Sequence, residues 1–134
     1  MNLLDLSQDI AHRVETAAAK CRVPVAVSVT DVHGNLVLLH RMDGAPAFSI
    51  ELSERKAYTS ALVGMRTTDL LPLVQPGKEL FPILTVSEGR FCAMGGGVPV
   101  SRDGAVLVGV GVSGGTTQQD IAIVEGALDG LLPA

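Results

Sequence analysis

Apolar residues recur every three or four positions near the start of the chain. The apolar set is Leu6, Ile10, Val14, Ala17 and Cys21, and the opposite side carries Gln8, His12, Glu15 and Ala19. This period predicts an amphipathic helix over Ser7 to Cys21, ended by Pro24. His12 therefore projects away from the apolar face, toward water, a partner subunit or a ligand.

Two short apolar runs follow that are typical of strands. They cover Val25 to Thr30 and Leu36 to Arg41, and turn-forming residues at Asp31 to Asn35 separate them. This pattern predicts a β-hairpin. A helix is predicted next from Ser49 to about Gly64, where one stripe holds only small residues, and a shorter helix from Thr68 to Val74 ends before Pro76-Gly77.

The C-terminal half is richest in strand-like patterns. Phe81 to Val86 is expected to be irregular or briefly extended, and strands are predicted at Arg90 to Met94, Val98 to Val100 and Ala105 to Val112. Thr116 and Gln119 match a capping box and start a last helix that we expect to reach Leu131.

The predicted order is α-β-β-α-α-β-β-β-α, within one domain over residues 1–134. Hairpin connections favour an α+β fold with a five-stranded antiparallel sheet and packed helices.

Composition excludes several classes of function. The net charge is −4, only 3% of residues are aromatic, and no basic run is present, so nucleic-acid binding is not expected. No apolar stretch has the length of a signal peptide or a membrane span, which favours a cytoplasmic location without membrane association. Cys21 and Cys92 form no metal-binding cluster and are expected to be buried, reduced thiols.

Gly109, Gly111 and Gly114 match the spacing G-x-G-x-x-G of dinucleotide-binding loops. That interpretation fails, because a dinucleotide site needs a following strand and only one helix remains. Gly109 and Gly111 instead share one strand face, where either a helix or a ligand must approach closely. Ser113, Gly114 and Gly115 precede a helix start, which is either an anion site or a plain turn.

The three histidines differ in their expected roles, and among them only His12 is a candidate metal ligand. His12 is either a solvated surface residue or an axial haem ligand, and His33 falls in a turn and is expected to be exposed. His40 is in phase with apolar strand positions, so it is expected to be hydrogen-bonded in the core or to line a pocket. Met42 could donate a thioether to iron but is more typical of packing.

Four segments together carry a family resemblance: VAVSVTDVHGNLVLLHRMDGA, ELSERKAYTSALVGMRTTDL, MGGGVPV and VGVGVSGGTTQQD. In this order they resemble the GlcG/HbpS-like haem-binding (haem-degrading) family, which includes the C-terminal domain of PduO-type corrinoid adenosyltransferases. The resemblance implies a profilin-like fold, a homo-oligomer that is often an octamer, and haem as cofactor.

The resemblance also implies a set of site residues, which it suggests form one pocket between the sheet and the helices. They are Arg41, Met42 and Asp43 of R-M-D, Lys56 of K-A-x-T, Gly96 and Gly97 of G-G-x-P, and Ser113, Gly114 and Gly115 of the last turn. Arg41 or Lys56 would pair with a carboxylate there. His12 is the candidate haem-iron ligand, and Asn35 departs from the G-H-L turn of many relatives.

Three functions follow as hypotheses. The first is a haem- or corrinoid-associated accessory protein linked to diol, glycerol or glycolate metabolism. The second is an enzyme acting on a small carboxylate, with Asp43 and Lys56 as candidate catalytic residues. The third is a structural oligomeric partner protein. Whether the protein is an enzyme stays open at this point.

Overall fold

A computed structural model describes residues 2–132 of the chain. Residues 1, 133 and 134 of the predicted domain lie outside the described residues. The helices are α1 (Leu3–Cys21), α2 (Ser49–Val63), α3 (Thr67–Leu70) and α4 (Thr117–Ala127), and the strands are β1 (Ala26–Thr30), β2 (Leu36–Arg41), β3 (Gly97–Arg102) and β4 (Ala105–Ser113). The predicted hairpins and the three long helices are thus confirmed, within a few residues at each end.

The strands form one antiparallel sheet in the order β2-β1-β4-β3. The ends of three strands come together at Ala26, which pairs with Arg41 of β2 on one side and with Ser113 of β4 on the other. The fold is therefore α+β, as predicted, with helices packed on the sheet.

The predicted fifth strand at residues 90–94 is wrong, and the sheet of the described chain has four strands. The Cys92 N–H donates to Thr59 Oγ1 of α2 at 2.8 Å. The Phe91 ring lies 5.4 Å from the Tyr58 ring. Side chains of α2 hold this segment, so its backbone is not available for a strand ladder.

The region between α2 and β3 is otherwise built from short helical turns. The predicted helix at residues 68–74 is α3 followed by a 3-10 turn over Leu71–Val74. Residues expected to be irregular or extended lie in 3-10 turns over Phe81–Gly89, interrupted at Ser87 and Glu88, whose φ angles are positive.

The two faces of the sheet differ in side-chain size. One face carries valines of β1, β3 and β4 and packs against α1 and α4 in the main core. The other face carries small residues and packs against α2. A Cβ on Gly109 or Gly111 would overlap the carbonyl oxygens of Ala57 and Ser53 in α2. The helix interpretation of these glycines is confirmed, and no room is left there for a ligand.

Candidate functional site

Lys56 is a buried charged residue in the middle of α2. Its side chain is 1% exposed, and its Nζ donates to the Val112 carbonyl oxygen at 2.8 Å and to Asp120 Oδ2 at 3.2 Å. The other carboxylate oxygen of Asp120 accepts the Gly115 N–H at 2.9 Å. One ion pair therefore joins α2, the end of β4 and the first turn of α4.

Asp120 is destabilised as an anion by its own burial. Removal from water raises the pKa of the Asp120 carboxyl above its ordinary value, while the Gly115 N–H and the Lys56 ammonium oppose that rise. The Lys56 ammonium and the Gly115 N–H thus both donate hydrogen bonds to a carboxylate of the protein itself. The sequence predicts that Lys56 and the Ser113 to Gly115 turn bind an external anion. In the structure, Asp120 accepts hydrogen bonds from both, so an external anion would compete with this carboxylate.

The G-G-x-P glycines lie close to Lys56, Gly96 at its side chain and Gly97 at its backbone. A Cβ on Gly96 would lie 2.9 Å from Lys56 Nζ, and one on Gly97 would lie 2.6 Å from the Lys56 carbonyl oxygen. The last turn is similarly filled, since a Cβ on Gly114 would overlap the Pro24 carbonyl oxygen. Ser113 is 1% exposed. These positions are small because backbone and Lys56 atoms lie against them.

The R-M-D segment forms a clamped loop at the end of β2. Arg41 Nε and Nη2 both donate to the Ala45 carbonyl oxygen, at 3.1 and 2.8 Å. Met42 packs against the main core. Asp43 is exposed and lies with Met42 at a shallow groove of about 250 Å³, whose other lining residues are Ala18, Ala19, Arg22, Val23 and Pro24. This groove does not include Lys56.

The implied site residues therefore fall in separate places. Lys56, Gly96, Gly97 and the Ser113 to Gly115 turn are packed around Asp120, whereas Arg41, Met42 and Asp43 lie beside the end of α1. Residues 2–132 do not bring them into the expected single pocket. Asp43 and Lys56 are not brought together, so no contact in residues 2–132 supports them as a catalytic pair.

The structure separates the three histidines. His33 is exposed in the β1–β2 turn, as predicted. His40 Nδ1 lies 2.6 Å from Glu15 Oε1 of α1, but its side chain is 47% exposed. The prediction of a core position for His40 is therefore wrong. β2 is an edge strand, so side chains near its end stay exposed even where they alternate in phase with apolar residues.

His12 lies in a groove between α1 and α4. The groove has a volume of about 340 Å³ and is lined by His12, Arg13, Thr16, Ala17, Lys20, Gly126 and Ala127. His12, Thr16 and Lys20 succeed one another at intervals of four residues, so they share one stripe of α1. All three are exposed. His12 therefore faces an open groove that can admit a ligand.

Sequence reasoning found His12 but missed the rest of this groove. The interval between His12 and Lys20 was a usable signal, because it places an imidazole and an ammonium on one helical face. Gly126 and Ala127 could not be assigned to the same place, since only tertiary packing brings α4 beside α1.

Neither a protein-built metal cluster nor a membrane span was found in the described chain. Residues 2–132 hold no group of three or more His, Cys, Asp and Glu side chains arranged to bind a metal ion. None of their helices combines the length and the apolar character needed to cross a membrane. The expected burial of the two thiols is wrong, since Cys21 at the end of α1 is exposed and Cys92 is only partly buried.

Residues 4–129 match a protein family described as haem degrading protein HbpS-like. A 15.0 kDa protein of the dhaT-dhaS intergenic region of Citrobacter freundii is 40% identical over 94% of this chain and 89% of that protein. The corrinoid adenosyltransferase PduO of Salmonella typhimurium is 37% identical over 92% of this chain but only 37% of the enzyme. The match therefore covers about a third of that enzyme's length.

A solved structure, the PduOC:heme complex, superposes with a TM-score of 0.88. It is 34% identical in sequence, and the alignment covers 96% of this chain and 92% of the other. The described fold is thus that of a protein solved together with haem.

Proposed function

The chain belongs to the family of HbpS-like haem-degrading proteins, and we propose that it binds haem in the groove between α1 and α4. The single observation that carries the proposal is His12, an exposed imidazole that lines an open groove with a small-residue floor. Imidazole is a common axial ligand of haem iron. The haem complex of a relative with the same fold adds support.

The residues of the groove fit the chemistry of haem. His12 supplies a nitrogen donor, and no hydrogen bond or ion pair within residues 2–132 occupies it. Ala17, Gly126 and Ala127 offer a floor of small apolar groups for a flat macrocycle, while Lys20 supplies a positive charge. Bound haem would supply iron redox chemistry. The chain's part is to hold the iron through His12 and to orient the macrocycle against the floor.

Spectral titration with hemin tests the proposal. We expect a shifted Soret band that saturates in the wild type and in His33→Ala, and a weakened or displaced band in His12→Ala. His33 is the matched control because it is also exposed but lies in the β1–β2 turn. An identical titration of the wild type and His12→Ala would remove His12 as the ligand.

The accessory role in metabolism is part of the same proposal. Among the relatives are a protein of the dhaT-dhaS intergenic region and a corrinoid adenosyltransferase. We therefore propose a cytoplasmic accessory protein linked to diol, glycerol or glycolate metabolism, with a corrinoid as the alternative ligand of the groove. Titration with hydroxocobalamin beside hemin distinguishes these ligands, since only the one that is bound changes its spectrum on addition of protein.

Self-association completes the proposal. Several large apolar side chains between residues 71 and 86 are exposed, namely Leu71, Leu73, Leu80, Phe81 and Val86. Exposed apolar groups of this kind favour contacts between copies of a chain. We expect a homo-oligomer, and the family resemblance suggests an octamer. Light scattering coupled to size exclusion measures the number of copies directly.

A further inference from the structure

Gly126 is a glycine that the fold itself does not require. It lies within α4, in the last turn, and it is not among the residues with positive φ. A Cβ added there would meet no atom within 4 Å. Glycine is less favourable than alanine at helical positions, so neither backbone conformation nor packing explains it.

The space above Gly126 belongs to the His12 groove. Gly126 is exposed and lines this groove together with Ala127 of α4 and Ala17 of α1. All three residues are small, so this floor carries no side chain larger than a methyl group. A Cβ at Gly126 meets open space, so a larger side chain there is expected to extend into the groove.

Lys20 lies at the end of the same groove, in the last turn of α1. It is eight residues from His12, or about 12 Å along the helix axis. Helical side chains tilt toward the N-terminus, so the Lys20 stem leans toward His12. Lys20 has no ion-pair partner within residues 2–132, whereas Arg13 pairs with Asp9 at 3.1 Å. Of the two cations that line the groove, Lys20 can therefore pair with a ligand's carboxylate without first breaking an ion pair.

We infer that Gly126 sets the size of the ligand that the groove admits and that Lys20 pairs with a carboxylate of that ligand. The inference rests on the proposed function, because haem is a flat ligand with two carboxylates. It goes further by assigning selection of flat ligands to Gly126 and recognition of the propionate to Lys20. Neither residue belongs to the segments that carry the family resemblance.

Steric block at Gly126 tests the first half. Gly126→Leu should bind hemin at least tenfold more weakly than the wild type, while Gln118→Leu should bind like the wild type. Gln118 is the matched control, since it adds an exposed leucine two turns earlier on α4, outside the groove. Far-UV circular dichroism verifies that both variants are folded. Wild-type affinity in a folded Gly126→Leu would overturn the role of Gly126.

Esterified hemin tests the second half. Lys20→Met should weaken hemin binding by roughly tenfold, the effect expected for one lost charge-assisted contact. With hemin dimethyl ester, whose propionates are neutral, Lys20→Met and the wild type should bind equally. Lys78→Met is the control for net charge, because Lys78 is exposed but lies outside this groove. An equal loss for both ligands would contradict propionate recognition by Lys20.

The set of variants separates this inference from the function on which it rests. If hemin binding depends on His12 but not on Gly126 or Lys20, the proposed function stands and the inference is wrong. If the wild type does not bind hemin, or if His12→Ala binds it with the same affinity and spectrum, the proposed function fails and the inference with it.

Discussion

Lys56 of α2 and Asp120 of α4 form a buried ion pair, with Lys56 Nζ 3.2 Å from Asp120 Oδ2 and side chains that are 1% and 4% exposed. The pair lies where α2, β4 and α4 meet; Lys56 Nζ also donates to the Val112 carbonyl oxygen, and the Gly115 N–H donates to Asp120 Oδ1. The surrounding residues of the family resemblance, Gly96, Gly97 and Gly114, are therefore packed within the fold, while His12 faces a separate groove.

Removing either member of the Lys56–Asp120 pair should lower the free energy of unfolding substantially. Lys56→Met leaves a buried carboxylate without its counter-ion, and such losses typically cost about 3–5 kcal/mol. Asp120→Asn should be similarly destabilising, because it leaves the buried ammonium. Urea unfolding monitored by circular dichroism measures both changes.

The double variant Lys56→Met/Asp120→Asn decides whether the two losses share a cause. It leaves no unpaired charge, so its loss of unfolding free energy should be clearly smaller than the sum of the two single losses. A strictly additive double variant would mean that the pair does not act as a unit.

Burial of Asp120 predicts a defined pH dependence of stability. Its pKa is raised in the folded state above the ordinary value of 3.8, so the folded state binds the proton more tightly than the unfolded state. Tighter proton binding by Asp120 adds to the free energy of unfolding. This contribution is complete below the pKa that Asp120 has in the unfolded state, and it is lost as the pH rises through its pKa in the folded state. The free energy of unfolding of the wild type, relative to Asp120→Asn, should therefore fall above about pH 4 and then level off.

Urea unfolding of both proteins at closely spaced pH values between 4 and 7 measures this difference. A difference that increases with pH over this range would contradict the direction of the pKa shift.

The same substitution should have opposite effects at two glycines. Gly111→Ala places a Cβ against the Ser53 carbonyl oxygen, and overpacking of this kind costs about 1–3 kcal/mol. Gly126→Ala enters open space in a helix and should stabilise the protein by about 0.5–1 kcal/mol. Thermal unfolding of the two variants beside the wild type measures both changes: Gly111→Ala should have a lower Tm than the wild type, and Gly126→Ala a higher one. Equal effects at the two positions would refute the described packing.

Much of the fold was predictable because its signals are local. The helical period of α1, the turn between β1 and β2, and the capping box of Thr116 and Gln119 each depend on neighbouring residues, and each is present. The predicted strand at residues 90–94 failed for a tertiary reason. The Phe91 ring packs against Tyr58 and the Cys92 N–H donates to Thr59 of α2, and the local pattern reveals neither contact.

The site was predictable only in part, and for the same reason. His12 could be identified as a surface imidazole from helical phase alone. The internal partner of Lys56 could not, since Asp120 is 64 residues away in the sequence. The place of Gly126 in the groove could not be predicted from the sequence either, because it depends on the packing of α4 beside α1.

Imidazole rescue of His12→Ala tests the central claim most directly. If His12 holds the iron, the His12→Ala variant with hemin should lack the Soret band of the wild-type complex, and added imidazole should restore it by occupying the vacated position. His33→Ala should show the wild-type band without imidazole. A His12→Ala complex with the wild-type spectrum before imidazole is added would contradict the account.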